Sequence, residues 1–123
     1  MKIIVLKFGG TSVGTTERIK KVAEIIISYV KKRYKVVVVS SAMSGVTNKL
    51  VKNSKEISSS FSEAEYDVLV SSGEQVACSL IAGRLIHKGL KSRSWMSWQV
   101  PILTENKHKF SRINYINKNN ILK

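Results

Sequence analysis

The chain has 123 residues, with 21 lysines and arginines against 8 aspartates and glutamates, a formal charge of +13. That length suits one small domain with room for a core. The single cysteine, Cys78, excludes an intramolecular disulfide and fits a reducing cytoplasm. No apolar run reaches the length of a membrane-crossing helix, and the one after Lys2 is too short for a signal peptide.

Ile3-Ile4-Val5-Leu6 is too short for a helix and too uniform for a half-solvated strand. It predicts a central strand buried on both faces. Lys7-Phe8-Gly9-Gly10-Thr11-Ser12 follows at once, at the strand end where open α/β sheets hold their ligands. Gly9 and Gly10 let backbone approach a ligand closely, and Thr11 and Ser12 add hydroxyl donors. Amides opening a following helix can point at an anion, and Lys7 supplies a compact positive charge. The set suits a phosphate. It is not a Walker A loop, in which the lysine follows the glycines. A tight turn with a solvated lysine is the alternative from these residues alone.

Ile19, Val22, Ala23, Ile26 and Val30 recur at helical spacing, with Lys20, Lys21, Glu24, Lys31 and Lys32 off that stripe. Thr15 or Thr16 caps this helix, and Glu17 sits favourably in its first turn. Val36-Val37-Val38-Val39 is a second buried strand, ending in Ser40-Ser41-Ala42-Met43-Ser44-Gly45-Val46-Thr47-Asn48. Alone, that loop is an ordinary turn rich in small residues. As a βαβ unit, the segment brings both loops to one edge of the sheet.

Thr47 to Ile57 predicts a helix, followed by a serine-rich turn at Ser58-Ser59-Ser60. Ser62-Glu63-Ala64-Glu65 caps a helical region carrying Asp67 and Leu69. Ser71-Ser72-Gly73-Glu74 also satisfies a capping box, so that Glu74 starts a further helix to His87, ending near Gly89. On that helix Cys78 reads as a buried structural thiol. Lys91 to Trp95 reads as a third strand, and Trp95-Met96-Ser97-Trp98 as core, the favoured reading, with a surface left over from an absent partner as the alternative. His87 and His108 have no partner at useful spacing. No acidic residue follows Glu105, and Lys107, Lys109, Arg112, Lys118 and Lys123 make the best candidate for nonspecific nucleic-acid binding. Solvated charge is the preferred account of them, with no specific nucleic acid as partner. Residues 114–123 show weak periodicity and predict a frayed tail.

Taken together, K-F-G-G-T-S-V-G and V-V-S-S-A-M-S-G-V-T-N resemble the opening of aspartate kinases, of the amino-acid kinase fold. Asp67-Val68-Leu69-Val70-Ser71-Ser72-Gly73-Glu74 is similar to that family's D-x-L-x-S-x-G-E signature, and Gln99 to Thr104 to its Q-x-x-I-L-T segment. Ser40 departs from the pattern, which more often has an apolar residue there. The resemblance runs from Lys2 to about Ile113.

The resemblance implies an α/β fold: a three-layer αβα sandwich with a mainly parallel sheet, of which residues 1–113 form the N-terminal part. It implies transfer of the γ-phosphoryl group of ATP, carried with magnesium (Mg2+), to the β-carboxylate of L-aspartate, in the cytoplasm. The product, 4-phospho-L-aspartate, leads to lysine, threonine and methionine. It makes Lys7 the catalytic residue and assigns Lys7, Gly9, Gly10, Thr11 and Ser12 to the nucleotide. Ser41, Ala42, Thr47 and Glu74 fall to the amino acid, Glu74 holding its ammonium group, and no residue is assigned to a metal. The family's G-R-G-G-S-D and T-D-V-D-G-like segments find no match here. The chain is therefore expected to be inactive alone, with self-association or a separate C-terminal half completing it. Another small-carboxylate kinase is the rival within the fold; outside it, the rival is a non-catalytic basic module.

Overall fold

The computed structural model describes residues 2–122. In chain order its elements are β1 (Lys2–Phe8), α1 (Thr16–Lys31), β2 (Tyr34–Ser40), α2 (Val46–Ile57), α3 (Glu63–His87), β3 (Ile102–Thr104), β4 (Ile113–Ile116) and α4 (Asn119–Leu122). β1 and β2 pair in parallel, in register from Lys2 opposite Tyr34 to Phe8 opposite Ser40. α1 is the crossover between them, as the apolar spacing predicts.

Local chemistry fixes the ends of α1. Thr15 is extended and its Oγ1 accepts the Arg18 N–H at 3.2 Å, satisfying an amide the helix leaves free. Glu17, one turn before Lys20, pairs with it at 2.7 Å. The buried stripe Ile19, Val22, Ala23 and Ile26 then packs with Val13 and with Ile81 and Leu85 of α3. Leu6, Phe8, Val36 and Val38 close the core from the sheet. Ile19, Val22 and Ile26, all buried, contribute on the order of 1.5–3 kcal/mol each.

The strands are not buried on both faces. Ile3, Val5 and Val39 are 51%, 62% and 48% exposed, alternating with the core-facing residues. A uniform apolar run carries no information on where its second covering layer comes from, and the described helices cover one face.

α3 is one helix of 25 residues, so Glu74 does not begin a helix. Ser71 and Ser72 turn their hydroxyls back to the carbonyls of Val68 (3.1 Å) and Leu69 (2.7 Å) instead of capping. Ser62 does stand at the N-cap of α3, without a side-chain cap bond. The end follows the glycine rule: Gly89 takes φ +83°, its N–H reaches Ile86 O (2.9 Å), and Leu90 N–H reaches Leu85 O (3.0 Å). This is a Schellman closure, with Leu90 packed on the core beside Leu85.

Residues 91–96 form no strand. The ladder they would need lies elsewhere, because β3 pairs antiparallel with β4. Of residues 114–123, where a frayed tail was expected, 114–116 belong to β4 and 119–122 form α4, and Lys123 lies outside the described residues. Among the described residues no helix is long and apolar enough to cross a membrane.

Candidate functional site

Two loops leave the same edge of the β1–β2 sheet. In the first, Gly9 O accepts from the amides of Ser12 (3.0 Å) and Val13 (3.3 Å), and Thr11 O accepts from Gly14 (3.4 Å). Val13, fully buried, anchors this turn in the core. The amides of Ser12 to Gly14 are thereby turned inward. Those of Gly10 and Thr11 are left without a protein acceptor among the described residues.

The second loop continues the β2 ladder by one bond, Ser41 N–H to Phe8 O at 3.0 Å. It closes on Met43 O, which accepts the Val46 N–H at 3.1 Å. Gly45, at φ +80°, makes the turn into α2 and offers no side-chain cap. Thr47 and Asn48 therefore stand in an uncapped first turn, where the helix dipole is positive.

α3 supplies the third wall. Gly73 packs so closely on the second loop that a Cβ there would lie 2.9 Å from Ala42 Cβ and 3.2 Å from Val46 Cγ1. One residue on, Glu74 Oε1 accepts the Ala42 N–H at 3.4 Å. The loops also meet each other, since a Cβ on Gly10 would come within 3.1 Å of Ala42 O.

Between these walls lies an open cavity of about 420 Å³. Its lining is Gly10 and Thr11 from the first loop, Ser41 to Gly45 from the second, Thr47 and Asn48 from α2, and Glu74 from α3. Of the residues singled out in the sequence, Gly10, Thr11, Ser41, Ala42, Thr47 and Glu74 meet here. Lys7, Gly9 and Ser12 do not line it. Lys7 is exposed, on the open sheet face that also carries Ile3 and Val5. Met43, Ser44, Gly45 and Asn48 join the lining without having been singled out; their place inside the loop motif was the available signal. Glu74 is the one carboxylate of the lining. Among the described residues no group of three or more His, Cys, Asp or Glu side chains could hold a metal ion.

Three expectations outside the cavity need correction. His108 is not isolated: its Nδ1 lies 2.7 Å from Asp67 Oδ2, and the Lys109 N–H reaches Asp67 Oδ1 at 3.2 Å. A separation of 41 residues hid that pairing. Cys78 is half-buried, and burial first, then the charge of Glu74, pushes its thiol pKa up. Trp98 is 65% exposed, so the tryptophan segment is not core.

The family model for the amino acid kinase family matches residues 2–123. The aspartokinase of Rickettsia felis is 51% identical over 111 residues, 88% of this chain and 28% of that protein. That of Geobacillus stearothermophilus is 50% identical over 113 residues, 92% of this chain and 28% of that protein. The crystal structure of aspartate kinase from Synechocystis superposes with a TM-score of 0.68 at 45% identity, over 70% of this chain and 15% of that one. Aspartokinase III of E. coli, solved with aspartate and ADP, has a TM-score of 0.71 at 20% identity, over 93% of this chain and 35% of that one, and shows the shared fold. The chain thus spans about 28% of the length of these curated relatives.

Proposed function

The chain belongs to the amino acid kinase family, and we propose that it carries the amino-acid side and part of the phosphate side of an aspartate kinase site. The reaction is transfer of the γ-phosphoryl group of ATP to the β-carboxylate of L-aspartate, giving 4-phospho-L-aspartate. One observation carries this reading: two amide-rich loops and a single carboxylate converge on one cavity.

The substrate carboxylate, with a reference pKa of about 4, is already ionised at neutral pH. No general base is needed to make the nucleophile. The site must align two anions that repel each other and place positive charge where the transferring oxygens sit. In this reading Glu74 holds the ammonium group of aspartate. The continuous α3 supports that role, because it removes the alternative of Glu74 as a helix cap and points its carboxylate at the second loop. Ser41 and Thr47 take the carboxylate end, Ala42 belonging to the loop that holds the amino acid with its amide on Glu74, and the uncapped start of α2 adds a positive dipole.

The nucleotide fits the first loop at Gly10 and Thr11, whose amides have no other acceptor there. Gly9 faces open space, so a phosphate can approach its backbone. Ser12 offers its hydroxyl, its amide being committed to the turn. Lys7, outside the cavity lining, meets the phosphate from the open sheet face at the strand end and neutralises its charge as it develops. When bound, magnesium supplies further charge on the phosphates; it comes with the nucleotide and is assigned no ligand in this chain.

The test is an NMR titration of the labelled chain with L-aspartate and, separately, with magnesium ADP. Aspartate is expected to shift the amides of Ala42, Ser44 and Gly45, and the nucleotide those of Gly10 and Thr11. Lys7→Ala should weaken only the nucleotide response. Responses scattered outside the two loops would sink the proposal.

A further inference from the structure

Glu74 also lines a second cavity, of about 230 Å³. That is room enough for a small molecule. It lies between α3, through Ser71, Glu74, Gln75 and Cys78, and the segment Trp95 to Trp98. The tryptophan wall is shaped by its own turn: Gln99 N–H reaches Met96 O at 2.9 Å, and Met96 N–H reaches Gln99 Oε1 at 3.0 Å. Buried Val100 pins that turn in place.

The chemistry of this lining is one carboxylate set among indole rings, a thioether and small polar groups. Glu74 is its only charged residue. The Ala42 N–H occupies one of the roughly four acceptor positions of that carboxylate and leaves others free. Indole faces attract cations, and one face of Trp95 already does so, with the Arg93 guanidinium 4.0 Å from the ring centroid. Trp98, by contrast, is largely uncovered.

We infer that this second cavity binds a small organic ammonium ion, its charge against Glu74 and its apolar body against Trp95 and Trp98. The inference does not rest on the function proposed above. It has a consequence for it, however: a cation held here draws on the carboxylate that the first cavity also uses, so the two sites oppose each other.

The chain's only tryptophans, Trp95 and Trp98, both line the cavity, so intrinsic fluorescence reads its occupancy directly. The experiment is a fluorescence titration of the full chain with n-butylammonium and with n-butanol, the same carbon chain without charge. The expected result is a saturable change with affinity at least about ten-fold tighter for the ammonium. Glu74→Gln, checked for fold by circular dichroism, should abolish that preference. Arg93→Ala, at an exposed position, removes a nearby positive charge and frees a ring face, and should tighten n-butylammonium about two- to five-fold. Equal affinities for the two probes, a non-saturable response, a preference that survives Glu74→Gln, or no tightening in Arg93→Ala would each overturn the inference. L-aspartate binding at the first cavity is read separately by NMR, so failure here leaves that reading intact.

Discussion

Residues 2–90 and residues 91–122 are held by different physics. Among the described residues, every buried apolar one but Val100 lies in the first region, where α1, α3 and one face of the β1–β2 sheet interlock. The second region has an exposed hairpin, with Leu103, Ile113, Tyr115 and Ile116 all open to solvent. What ties it down is largely polar: the contact of His108 and Lys109 with Asp67, and Lys109 Nζ on Glu63 Oε1 at 3.4 Å. The difference teaches that stability and the first cavity reside in the same part of the chain. The later part supplies only the tryptophan wall of the second cavity.

The sharpest break of that comparison is a pair of truncations. Ile81→Ala, in the core, should cost about 2–5 kcal/mol in urea unfolding. Ile113→Ala, on β4, should stay within about 0.5 kcal/mol. Equal losses would mean the hairpin is part of the cooperative core.

Gly73→Ala comes next, at the seam between core and cavity. Its Cβ would meet Ala42 Cβ at 2.9 Å, so overpacking should cost about 1–3 kcal/mol and displace the second loop. Adding Ala42→Gly removes the atom it strikes. Recovery of both stability and the response of the Ser44 amide to L-aspartate in the double variant is the expected outcome.

Asp67→Ala tests the polar tie. An exposed pair of this kind is worth about 0–1 kcal/mol, so global stability should hardly move. Limited proteolysis within residues 105–112 should nevertheless quicken. The smallest effect is expected at Glu17, whose carboxyl is held below its ordinary 4.5 by the hydrogen bond from Lys20. A lowered carboxyl contributes stability above its unfolded pKa, and that contribution is lost as pH falls through the folded one. Glu17→Gln should therefore lower stability slightly at neutral pH, and the gap to the unsubstituted chain should close as pH falls below about 4.5.

The comparison also marks what could be read from the sequence. Thr15 as cap, the α1 stripe, Gly89 as terminator and the two loops at one sheet edge all follow from local rules, and all are found. The misses are of three kinds. Ser71-Ser72-Gly73-Glu74 satisfies a cap pattern, yet serine hydroxyls can equally bond back within a continuing helix, as here. Ile3 and Val5 look like core, but exposure depends on layers the run itself does not specify. Asp67 with His108, and Glu74 with Ala42, are contacts across 41 and 32 residues, which no local pattern encodes. The cavity lining was legible because its loops are contiguous motifs. The displacement of Lys7 to the open sheet face was not, because it depends on the parity of β1 against the core.

The central claim is that Glu74 makes the first cavity a site for an amino acid. Calorimetric titration of the chain with L-aspartate and with succinate, which lacks only the ammonium group, tests it most directly. Aspartate is expected to bind about ten- to a hundred-fold tighter than succinate, with the gap closed in Glu74→Gln. Equal affinities in the unsubstituted chain, or a gap that persists in Glu74→Gln, would contradict it.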